Sequence, residues 1–154
     1  MDCDEQHEPA AIPSFIQAIN DNNADLVSGS RYLSLYPEND MPPQDRRAIN
    51  ATITEELNRV LNISITDAFC GFKAYRVSAL KAFSFDVDGY EFPMQFWVQA
   101  AANCLNIKEV PVRLIYNDPT RTFGGPLNDP EQRLQHYRNV LAREMKRNPS
   151  PCFT

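Results

Sequence analysis

Apolar residues change their period repeatedly along this chain, and that change sets the fold class. In "PAAIPSFIQAIND", Ile12, Phe15, Ile16 and Ile19 recur at helical spacing. "ADLVSGSRY" is short and apolar and runs into a loop at a glycine, so it reads as a strand. "LSLYPENDMPPQD" holds three prolines and no period and reads as a loop. In "RRAINATITEELNRVLN", Ile49, Ile53, Leu57, Val60 and Leu61 share one helical face. "ITDAFCGFKAYRVSALKAF" starts as turn and strand and becomes helical near Ser78, a residue suited to an N-cap. "FPMQFWVQAAANCL" predicts a helix with its bulky residues on one side. "IKEVPVRLIYN" alternates and is β-branched, which predicts a strand, and Pro111 favours an edge or a bulge for it. "EQRLQHYRNVLAREMKR" predicts a last helix whose basic C-terminal end suits the helix dipole. Helices that alternate with strands define an α/β chain. No repeat or composition break divides residues 1–154, which read as one domain.

A hydrophobic share of 43% is enough for a core. A net charge of −5 and a pI near 5.0 argue against nucleic acid or an anionic membrane as a bulk electrostatic partner. A local basic patch remains compatible with that balance. No apolar run approaches the ~20 residues that cross a bilayer. The acidic N-terminal stretch has neither secretory nor transit-peptide character, so the expected location is cytoplasmic. Cys3, Cys70, Cys104 and Cys152 are widely spaced, form no C-x-x-C pair, and read as reduced thiols.

Four stretches bear chemistry. In "DCDEQ", extended backbone puts Asp2, Asp4 and Gln6 on one face, where three oxygen groups suit a hard divalent cation. The same residues also fit a solvated acidic end, and spacing leaves both readings open. An EF-hand is excluded, because His7 and Pro13 stand where its loop needs glycine and glutamate. In "GSRY", Gly29 permits close approach of a ligand to the backbone, and Arg31 offers a fork for phosphate; a turn with a surface arginine is the plainer reading. "TDAFCGFKAYR" sets Asp67 and Gly71 before a strand, with Lys73 and Arg76 near them and an aromatic pair, Phe69 and Phe72, that suits a core. "RTFGG" sets Arg121 before two glycines in a loop. His7 could serve as a ligand or bond a carboxylate at a helix start, and His136 reads as a helix-surface residue. No Ser/His/Asp arrangement emerges.

Taken in order, "DCDEQHEP", "LVSGSRY", "ITDAFCGFKAYR", "GYEF", "IKEVPV" and "RTFGG" resemble family 2 glycosyltransferases of the GT-A fold, in the dolichol- or polyprenol-phosphate mannosyltransferase-like branch. The resemblance runs from residue 1 to about residue 125. It implies a mixed sheet with flanking helices. It implies metal-assisted transfer of a sugar from a nucleotide-diphosphate sugar to a (poly)prenyl-phosphate or other acceptor. By the same resemblance, Asp2 and Asp4 would bind Mg²⁺ or Mn²⁺, with Gln6 in support. Arg31, Arg121 and the weaker candidates Arg46 or Arg47 would contact phosphate. Asp67 would lie on the acceptor side and could serve as general base for a hydroxyl acceptor. No nucleic acid is implied; peripheral contact with the cytoplasmic membrane face is.

In that family the D-x-D follows a nucleotide-binding half that opens with a strand and a P-x-Y-N-E-like motif. Here it stands at positions 2 and 4, so the resemblance implies the C-terminal portion of a catalytic domain, lacking the N-terminal nucleotide-binding strands. Three expectations follow. "ADLVSGS" has an unpaired edge. Helical faces bearing Ile12, Phe15, Ile16 and Ile49, Ile53, Leu57 are exposed. The chain therefore associates as a homo-oligomer. The alternative reading is a non-catalytic oligomerising or binding remnant of such an enzyme.

Overall fold

A computed structural model describes residues 6–21, 23–35, 42–115 and 122–149. Among them are four α-helices and three strands. In chain order these are α1 (Ile12–Asp21), β1 (Leu26–Ser30), α2 (Gln44–Leu61), β2 (Lys73–Tyr75), α3 (Phe92–Ala102), β3 (Ile107–Pro111) and α4 (Pro130–Arg147). Single 3-10 turns occupy Pro9–Ala11, Ala79–Ala82 and Gly125–Asn128. The alternation of period therefore becomes an α/β fold with a small mixed sheet, in the order β2-β1-β3. β1 pairs antiparallel with β2, Leu26 opposite Tyr75, and parallel with β3, Leu26 opposite Ile107.

All five residues of β1 are buried, as a strand covered on both faces requires. Successive side chains point to opposite faces, so Leu26 and Val27 enter different cores. Leu26 packs with Ile53, Leu57, Leu61, Met94, Trp97 and Val98, where α2, α3 and α4 meet the sheet. Val27 packs with Phe15, Cys70, Phe72 and Val112 beneath α1, where the Phe15 and Phe72 rings stack at 4.2 Å.

Several expectations change here. β1 is the central strand, bonded on both sides, so it offers no edge to another chain. Its partners come from β2 and β3, far along the sequence, and a strand's neighbours are not encoded in its own pattern. Phe15, Ile49, Ile53 and Leu57 are buried; Ile12 and Ile16 are exposed on the outer side of α1. α3 is not one-sided, because every residue from Met94 to Ala101 is buried. Its two glutamines are satisfied within the core. Gln95 Oε1 accepts from the amides of Asp86 and Val87, and Gln99 Oε1 accepts from that of Ser84. Ser78 makes no capping hydrogen bond, and the chain leaves after one 3-10 turn as Phe83 folds in against Phe96. Pro111 ends β3, an edge strand of the sheet, as expected. Among the described cysteines, Cys70 is free and buried, whereas Cys104 is disulfide-bonded, which corrects the reduced-thiol reading at that position.

Gly29 is needed for packing. A Cβ there would stand 2.9 and 3.0 Å from the methyls of Val112 and 3.1 Å from Cys70 Sγ. Gly29→Ala should cost about 1–3 kcal/mol through overpacking, read as a lower thermal midpoint. An unchanged midpoint would mean that the Val112 side moves freely.

Candidate functional site

The parallel strands β1 and β3 both end beside the loop 66–69, and ligands in α/β sheets bind outside such carboxyl ends. The first residue after β1 is Arg31. Its Nε donates to Asp67 Oδ2 at 2.6 Å, its Nη2 to Oδ1 at 2.7 Å, and its backbone amide to Oδ2 at 3.2 Å. Asn50 Nδ2 of α2 and the amide of Phe69 also donate to Oδ1, at 2.9 and 3.1 Å. Asp67 is fully buried. Burial alone would push its carboxyl up, but the Arg31 guanidinium and the surrounding donors outweigh burial and hold it below the usual carboxylate range. Burial likewise disfavours the Arg31 charge, and Asp67 reverses that and raises its pKa.

The loop that carries Asp67 is clamped from three elements. On β3, Glu109 accepts from the Thr66 amide at 2.8 Å, the Thr66 hydroxyl at 2.9 Å and the Asp67 amide at 3.2 Å. Burial raises the Glu109 carboxyl despite those bonds. From α2, Asn50 Oδ1 and Thr54 Oγ1 both accept from the Ala68 amide. From α3, Trp97 Nε1 donates to the Ala68 carbonyl at 2.8 Å. The Ser30 and Thr66 hydroxyls meet at 2.6 Å, tying the end of β1 to the same loop.

Above this clamp lies a cavity of about 450 Å³. Its cations are Arg31, Arg46, Lys73 and Arg133, and no carboxylate is among the described residues that line it. The Lys73 ammonium donates to the Cys70 carbonyl and lies 5.3 Å from the Trp97 ring and 5.7 Å from that of Phe96. Phe123 stands between two guanidiniums, Arg133 at 4.2 Å and Arg46 at 4.8 Å from its ring centre. Arg133 is nearly fully buried and also bonds Asp45 and the Leu127 carbonyl. Burial pushes the Tyr137 phenol up to about 12, so this cavity-lining residue stays neutral. Burial raises the Cys70 thiol too, which keeps it protonated and unreactive.

The structure thus brings Gln6 and Arg31 of the predicted site residues to the cavity wall and sets Asp67 directly beneath it. At the start of α2, Arg46 lines the cavity and Arg47 does not. Asp2, Asp4 and Arg121 lie outside the described residues. Among the described residues no three His, Cys, Asp or Glu side chains cluster as metal ligands. His7 is buried against Phe72 and does not line the cavity, and His136 sits on the α4 surface, 3.3 Å from Glu91. Sequence reasoning missed Asn50, Glu109 and Arg133. Nothing in a single sequence distinguishes them from ordinary helix and strand polar residues.

Comparison with known proteins decides the lineage. A family model described as "Glycosyl transferase family 2" matches residues 1–83. The chain belongs to glycosyl transferase family 2. Relatives of this family 2 chain include the undecaprenyl-phosphate mannosyltransferase of Micrococcus luteus, 31% identical over 120 residues, which are 75% of this chain and 47% of that protein. The polyprenol monophosphomannose synthase of Mycolicibacterium smegmatis is 30% identical over 115 residues, 73% of this chain and 43% of that protein. The UDP-N-acetylglucosamine–dolichyl-phosphate N-acetylglucosaminyltransferase of Methanococcus voltae is 31% identical over 126 residues, 80% and 50% of the two chains. This family 2 chain spans about half the length of these curated relatives.

The Arg31–Asp67 pair makes two predictions. Asp67→Asn leaves a buried guanidinium without its counter-charge and should cost about 3–5 kcal/mol in urea unfolding. Because the folded pKa of Asp67 is depressed, its stabilisation is complete above the unfolded value near pH ~4 and declines as pH falls toward the folded value. Wild type should therefore lose stability on acidification below that point more steeply than Asp67→Asn. Parallel acid limbs for the two proteins would show that Asp67 is not ion-paired.

Proposed function

We infer that the chain takes part in sugar transfer from a nucleotide-diphosphate sugar to a prenyl phosphate, and that the cavity receives phosphate. One observation supports this most: four cations and no carboxylate line the described cavity of a chain with net charge −5. A field of that sign gathers anions. Asp67 takes up Nε and Nη2 of Arg31, which leaves Nη1 for a ligand oxygen. Lys73 and Arg46 add charge from β2 and α2.

The state of Asp67 favours a phosphate acceptor over a hydroxyl. Its oxygens are occupied by donors, its pKa is depressed, and it does not line the cavity, so it is a poor general base. A phosphate monoester is already ionised near neutral pH and needs none. Asp67 then acts as a positioning residue that fixes the Arg31 fork.

Mg²⁺ or Mn²⁺ is proposed at Asp2 and Asp4, supported by their spacing and by Gln6, two residues on, which lines the cavity. A divalent cation there would offset the charge of the leaving diphosphate. Arg121 is proposed as a further phosphate contact, supported by its neighbours Thr122 and Phe123 at the cavity wall. The relatives' names include mannosyl- and N-acetylglucosaminyltransferases, so the proposal extends to glycosyl transfer and to no single sugar.

Binding of farnesyl phosphate tests the reading. Lys73→Gln combined with Arg46→Gln should weaken binding by about tenfold or more, since each removes a charge-assisted contact, with competition by inorganic phosphate in the wild type. Equal affinity in wild type and variant would contradict the assignment of this cavity to phosphate.

A further inference from the structure

The apolar side chains around the cavity are arranged as asymmetrically as the charges. Large hydrophobic side chains exposed on the described surface include Tyr75 at 40%, Val77 at 81%, Phe85 at 44% and Phe92 at 37%. The three aromatic ones are gathered around Phe96, and Val77 follows Tyr75 by two residues. Phe96, in the cavity lining and nearly fully buried, lies 5.8 Å from Tyr75, 6.2 Å from Phe92 and 6.4 Å from Phe85, ring centre to ring centre. Phe85 and Phe92 touch each other at 5.0 Å. Lys73 and Tyr75 lie two apart on β2 and so share a face. The cation is at the cavity wall, the aromatic ring is at its rim, and Val77 stands just beyond in the following turn.

Aromatic rings left this exposed keep apolar surface in water, which is unfavourable. A row of them that begins at a cation-lined cavity matches an amphiphile, with its anion inside and its hydrocarbon outside. We propose that Phe96, Tyr75, Phe92, Phe85 and Val77 form the track on which the hydrocarbon chain of the lipid-phosphate acceptor lies. Lys73 and Arg31 mark its phosphate end. The proposal rests on the phosphate reading of the cavity and assigns the direction in which the lipid leaves it. Phe85 and Val77 are outside the cavity lining, so they meet only a ligand long enough to reach them.

Chain length is therefore the readout. Wild-type affinity should rise from geranyl to farnesyl to geranylgeranyl phosphate. Val77→Ser and Phe85→Ser should abolish that rise while geranyl phosphate binds within about twofold of wild type. Their loss on geranylgeranyl phosphate should be about tenfold for the pair, given the apolar area removed. Phe85→Leu should restore the length dependence, which separates apolar contact from ring geometry. Val77 is too exposed for its replacement to unfold the chain, so Val77→Ser stands even if the Phe85 variant misfolds. Wild type that binds all three phosphates equally would overturn the track and leave the phosphate reading intact. Wild type that binds none of them would overturn both. Variants that keep the length dependence but lose adsorption to phosphatidylcholine vesicles would reassign the patch to a bilayer surface and overturn the proposal.

Discussion

The buried ion pair between Arg31 and Asp67 organises this molecule. Removing two charges from water is costly, by several kcal/mol per ion, and the pair survives only because its geometry is nearly complete. One edge of the guanidinium meets both carboxylate oxygens, and three further N–H groups saturate them. The donors come from the end of β1, from α2 and from the loop 66–69 itself. Satisfying one carboxylate therefore fixes three pieces of chain relative to one another. Glu109 and Trp97 extend that constraint to β3 and α3.

The same pair gives the cavity its sign. Asp67 is not part of the cavity lining, and its charge is paired with that of Arg31. Arg46, Lys73 and Arg133 complete the cations of the lining, Arg133 while bridging to Asp45. The protein around them is acidic overall, so the cation-lined cavity contrasts with the net charge of the chain. Apolar rings complete the wall.

Much of the fold was legible because its elements are long and strongly periodic. Ile49, Ile53 and Leu57 announce α2, and all are buried. What the pattern could not supply is pairing. β1 reads as a strand from its own residues, but its central place depends on Lys73–Tyr75 and Ile107–Pro111, brought in by the chain between them. The candidate site divides in the same way. Arg31 and Asp67 stand in recognisable stretches, and their contact spans 36 residues that no local pattern links. Arg46 and Arg47 are adjacent in sequence, and only the helix's orientation tells which one reaches the cavity. Arg133 resembles any basic residue of an amphipathic helix until α4 packs against α2. Gln95 and Gln99 conceal the burial of α3, because their polarity is answered by backbone groups outside the helix.

A charge-paired Arg31 at the end of β1 should present an anion site. Proton–nitrogen NMR spectra recorded while pyrophosphate is added test it directly. The Arg31 Nε–H should exchange slowly, held by Asp67, before any addition, and the shifts should then concentrate on Arg31, Phe69, Gly71, Lys73 and Arg46. A rapidly exchanging Arg31 Nε–H, or shifts centred on the exposed basic end of α4 at Lys146 and Arg147, would contradict it.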